Sequence, residues 1–87
     1  MNEIGKENQN IFDSRRGIKN KVYHKIDDIK AFIYYGKRPF VSLFFSDFFI
    51  SGEVIMLDVN SILIRGKYDT KSYKIKDIIE IKISYLL

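Results

Sequence analysis

The chain contains no cysteine, one histidine and one proline. Without cysteine there is no disulfide and no thiolate metal site to staple the fold. The same absence fits a reducing compartment, and the cytoplasm is the expected location. His24 has no partner set around it that forms a metal site or a catalytic triad. No glycine-rich phosphate loop is present. Asp27 and Asp28 are adjacent, and adjacent helical residues do not share one face. An enzyme is therefore not expected, and neither is a cofactor or a metal. Long apolar runs are missing too. Nothing approaches the ~18 residues of a membrane span, and the first residues lack the apolar core of a secretory leader. No membrane partner is expected.

What remains is a small, apolar, mildly basic chain. Its 87 residues allow one domain. Hydrophobic residues make up 46%, enough for a core. A domain of this size is marginally stable alone, and burial against another subunit is a common remedy. The formal charge of +4 is compatible with nucleic acid. Heavy use of Ile, Lys, Asn, Tyr and Phe matches AT-rich coding, which lowers the weight of any single lysine.

Residues 1–18 are polar, mixed in charge and without period. Ile4, Ile11 and Phe12 cannot offset the ordering entropy, so this segment is expected to be a flexible arm carrying Arg15 and Arg16. The domain proper is 19–87. In 19–35, Val22, Ile26, Ile29 and Ile33 fall at i, i+4, i+7 and i+11, the stripe of an amphipathic helix. Tyr23 and Phe32 widen it, Asn20 is the expected N-cap, and His24 falls on the helix surface. Gly36 suits the C′ position and Pro39 bars continuation. Gly36-Lys37-Arg38-Pro39 is then a short basic connector.

Five strands follow, at about 40–46, 48–57, 61–65, 72–75 and 78–84. In the first, Val41, Leu43 and Phe45 face one way and Ser42, Phe44 and Ser46 the other. Gly52 predicts a bend or bulge inside the long second strand. Ile62 and Ile64 alternate with Leu63 and Arg65. In the last strand Ile79, Ile81 and Ile83 alternate with Glu80, Lys82 and Ser84. Ser46-Asp47 and Asp58-Val59-Asn60 are tight turns. Arg65, Lys67 and Lys71 form a candidate basic patch near the third loop. The fold class is mainly β with one N-terminal helix: a strongly bent five-stranded antiparallel sheet, or small open barrel. Edge strands of such sheets invite pairing with a second copy, and a head-to-tail edge contact that closes makes a ring.

This order of elements resembles the Sm-like superfamily, and within it the Hfq branch, over about residues 20–83. The likeness rests on the helix, the basic connector, VSLFF as first strand, and the Gly-bent second strand in ISGEVIMLD. Asp58 follows Gly52 by six residues, and Ser72-Tyr73-Lys74 is similar to the start of a Tyr-Lys-His motif. The departures are specific. The turn at Ser46-Asp47-Phe48 is one residue shorter than the usual Asn-Gly turn. Val59 stands in place of Gln, Asn60 in place of a base-stacking aromatic, and Ile75 in place of His.

The resemblance implies an RNA-binding protein built as a homo-oligomeric ring, a hexamer. Single-stranded A- or U-rich RNA would be its ligand, and RNA-based, post-transcriptional regulation as an RNA chaperone its setting. One face would use Phe44, with Phe49 beside it. The pore-side face would use Asn60 and Lys74, weakened because Asn60 cannot stack. Lys37 and Arg38 would line the rim. The other reading is an interaction or assembly module of the same fold that has lost RNA binding.

Overall fold

The computed structural model describes residues 19–84. The expected arm, 1–18, and Tyr85-Leu86-Leu87 lie outside the described residues. Helix α1 runs through 19–34. It buries Val22, Ile26 and Ile29, and half-buries Phe32 and Ile33. That is the stripe expected from the 3.6-residue period. Asn20 is not an N-cap, because it already lies inside the helix. The helix ends as its glycine requires. Gly36 has φ +78°, its N–H donates to the Ile33 carbonyl at 2.9 Å, and the Lys37 N–H donates to the Phe32 carbonyl at 2.9 Å. This is a Schellman closure, and it satisfies carbonyls the last turn would leave bare.

The strands are β1 (Phe40–Phe44), β2 (Phe49–Leu57), β3 (Ser61–Arg65), β4 (Thr70–Lys74) and β5 (Glu80–Ser84). They form one sheet in the order β4-β3-β2-β1-β5, with every pairing antiparallel. β1 to β4 are a simple meander. β5 returns to pair with β1 at the other side of the sheet, setting Phe44 opposite Glu80 and Phe40 opposite Ser84. β4 and β5 are therefore the two edges.

The sheet is open but strongly curled. In a flat sheet β1 and β4 would lie three strand spacings apart, ~14 Å. Yet the ring of Phe45, just past β1, is 5.5 Å from the ring of Tyr73 on β4. The core face has wrapped until its two sides touch at that end. Inside lie Val41, Leu43, Val54, Ile62, Ile64, Ile81 and Ile83, with Val22, Ile26 and Ile29 of α1 across from them. One contiguous core thus joins the helix to four of the five strands. β4 adds only the half-buried Tyr73.

Several boundaries differ from the sequence expectation, each for a local reason. The bulge is at Ile55, between Val54 and Met56, not at Gly52. Gly52 serves close approach instead. A Cβ there would overlap the Arg65 carbonyl oxygen and lie 2.5 Å from Ile64 Cγ2. β4 begins at Thr70 and ends at Lys74, because Ile75 leaves the ladder for a 3-10 turn, Ile75–Asp77. That turn also shifts the start of β5. Ile78 is buried and Ile79 is half exposed, so only Ile81 and Ile83 keep the expected alternation.

Candidate nucleic-acid interface

The residues singled out by sequence fall into three separate places. The first is the outer face of the sheet, away from α1. Phe44 and Phe49 are cross-strand partners, and their rings stack at 5.3 Å with 20° between planes. From the other side of β1, the Lys82 ammonium lies 5.3 Å from the Phe44 centroid. Phe44 is thus half-buried, with β2 and β5 neighbours against it. Phe49, 62% exposed, is the ring that faces solvent. One register step away, Ser42 and Ser51 share a 2.7 Å hydroxyl contact, and Lys82 is the β5 partner of Ser42. The patch combines a flat apolar surface, a cation and two hydroxyls. Lys82, Ser42 and Ser51 were not singled out by sequence reasoning. Their signal is pairing across strands, nine residues apart for Ser42 and Ser51 and forty for Ser42 and Lys82, which composition does not carry.

The second place is a cleft of about 520 Å³ beside the β2–β3 turn, where Asn60 and Lys74 meet. Its other walls are Val59 from that turn, Ser61 and Ser72 from the strands, Ile75 and Lys76 from the 3-10 turn, and Tyr23 from α1. Its frame is tied at each corner. The Ile75 N–H donates to the Asn60 carbonyl at 3.0 Å, and the Asp58 N–H donates to the Ser61 carbonyl at 2.8 Å. The Asp58 carboxylate accepts from the Val59 N–H at 2.7 Å. The Lys19 ammonium donates to the Lys76 carbonyl, joining the first turn of α1 to the 3-10 turn. The Asn60 side chain remains exposed. Asn60 and Lys74 thus line one cleft, and Tyr23, which helical periodicity assigns to the core stripe, lines it with them.

The third place is the connector. Lys37 and Arg38 are both exposed and directly follow the helix cap. They precede β1, whereas Phe44 ends it, so the two sites are separated by the length of that strand, ~13 Å. The basic patch expected near the third loop does not form as one surface. Arg65 lies on the outer face, opposite Glu53 and 3.4 Å from its carboxylate. Lys71 is the cross-strand partner of the core-facing Ile64, with its ammonium 5.7 Å from the Tyr73 ring. Lys67 leans over Tyr68 at the loop tip. Alternation along the strands sends these cations to different faces.

His24 is exposed, and no group of His, Cys, Asp or Glu able to hold a metal ion occurs among the described residues. No described helix is long and apolar enough to cross a membrane. Comparison of the chain with family models, with curated proteins and with solved structures finds no match.

Proposed function

We propose that this chain is an Sm-like, Hfq-like protein that assembles as a homo-oligomeric ring of six and binds single-stranded A- or U-rich RNA in the cytoplasm. Its role in this reading is non-enzymatic: it holds or remodels RNA in post-transcriptional regulation. The observation that carries the reading is the pair of sheet edges that no strand covers among the described residues. β4 and β5 are each five residues long and end an open sheet. Unpaired N–H and C=O groups on both invite strand addition from a second copy. Pairing β5 of one subunit with β4 of the next is a heterologous contact, which closes into a ring when the rotation per subunit allows. Each ring face would then repeat its aromatic and cationic groups in every subunit. Phosphate neutralisation by lysine and stacking on rings such as Phe49 are what single-strand binding requires.

A second reading is favoured by one observation. Phe44 has Phe49 on one flank and Lys82 on the other, so little of its ring is offered to a base. In that reading the ring is an assembly module with RNA binding lost. Native mass by light scattering on a sizing column, with and without A-rich and U-rich oligonucleotides, tests both. A particle of several subunits that takes up oligonucleotide is the expected result. A ring that ignores both oligonucleotides favours the assembly module, and a monomer removes the ring altogether.

A further inference from the structure

We infer that Tyr23 is the ring on which one RNA base stacks in the Asn60–Lys74 cleft, restoring from the helix the aromatic surface that the β2–β3 turn lacks. The inference rests on the RNA-binding reading above and gives that cleft its ligand: a single nucleotide of a single-stranded chain. Four features converge on it. Tyr23 lines the cleft, yet it is 47% exposed while its helix neighbours Val22 and Ile26 are buried. The helix is thereby fixed, and part of the tyrosine ring stays open. Among the described residues the charged groups lining the cleft are Lys74 and Lys76, with no carboxylate, so the site favours an anion. The Asn60 amide, which carries both donor and acceptor, stands with the Ser61 and Ser72 hydroxyls, a set able to read a base edge. The volume, about 520 Å³, falls within the ~300–1,000 Å³ of small-ligand sites.

Any one of these groups alone would be undemanding. A lysine takes any anion and a tyrosine any flat apolar face. A planar ring, an amide and two ammonium groups around one cleft match a ligand with a flat heteroaromatic part and a phosphate. The frame is also prepared in advance. The Asn60 carbonyl holds the 3-10 turn through Ile75, and Lys19 holds Lys76. The groups need little reorganisation on binding, which lowers its cost.

The test is fluorescence anisotropy of labelled hexauridylate and hexaadenylate at low salt, using the full chain and its variants. Tyr23→Ala is expected to weaken binding of at least one oligonucleotide roughly 5- to 100-fold, the range for losing a stacked base. Tyr23→Phe keeps the ring and is expected to stay within about twofold of the parent. Tyr23→Leu keeps apolar bulk but no ring, and is expected to weaken like alanine. It also decides the matter if the alanine variant fails to fold. Phe49→Ala marks the outer face independently. If Phe49→Ala weakens binding while Tyr23→Ala and Tyr23→Leu bind like the parent, the role of Tyr23 is overturned and the RNA reading stands. If the parent binds neither oligonucleotide, both fall together.

Discussion

At Gly52 a single methyl group decides whether β2 and β3 can lie together. The backbone of Arg65 occupies the space a Cβ would need, and a carbonyl in a ladder cannot swing aside as a side chain can. Gly52→Ala is expected to destabilise the fold by about 1–3 kcal/mol, the usual cost of overpacking, read from the midpoint of denaturant unfolding. The two phenylalanines of the outer face should behave differently from each other. Phe49 is mostly exposed and Phe44 is packed between neighbours. Phe49→Ala is expected to leave the unfolding midpoint nearly unchanged while weakening oligonucleotide binding by about 1–3 kcal/mol. Phe44→Ala is expected to lower both, because its ring supports Phe49. Thermal unfolding and anisotropy on the same two variants check this.

Among the elements, the edge strands make the sharpest prediction. Within the β3–β4 ladder the Gly66 N–H donates to Asp69 and the Ile75 N–H donates to Asn60. Odd-numbered residues of β4 therefore bond to β3, and the N–H groups of Thr70, Ser72 and Lys74 point off the sheet. Proline is tolerated where a strand N–H faces outward. Ser72→Pro is thus expected to keep the monomer fold, judged by circular dichroism, and to lower the native mass seen by light scattering. A full-sized oligomer in that variant would rule out β4 as the ring edge.

The same elements show what was legible in the sequence. Periodicity gave the helix stripe and the inner faces of β1 and β3, because burial on one face writes itself into neighbouring residues. The expected β4, 72–75, is displaced from the observed strand because Thr70-Lys71-Ser72-Tyr73-Lys74 buries almost nothing and leaves no alternation to read. The sequence sets Ile79 on the face of Ile81 and Ile83 because the 3-10 turn that resets the phase of β5 has no apolar signature. Gly52 is the residue type expected at a bend or bulge, whereas the ladder slips at Ile55, which nothing in its type distinguishes. Asn60 and Lys74 are singled out by the sequence and line one cleft; Lys82 and Tyr23 are not, because their places beside Phe44 and in that cleft depend on contacts between segments far apart in the chain.

For the whole molecule the useful variable is salt. Single-strand binding carried by phosphate neutralisation falls with a log–log slope near −0.7 per phosphate. Three contacted phosphates then imply roughly a twenty-fold loss between 50 and 200 mM salt. A salt-insensitive complex would point away from nucleic acid, to a partner held by apolar contact. The ring itself, held by strand pairing, is expected to persist over the same range.

The sheet order has one more consequence, for how the protein is made. The meander from β1 to β4 consists of local hairpins, which close early because their loops are short. β1 waits longest for its second neighbour. Its partner is encoded in residues 80–84, so β1 keeps a bare edge while the ribosome adds the intervening chain. That edge and the true edge at β4 coexist in every nascent copy. On a polysome, where several copies are made close together, β5 arriving from a neighbouring chain would fit the vacant β1 as well as β5 of its own. Correct assembly is then a race between intramolecular return and exchange of β5 between copies.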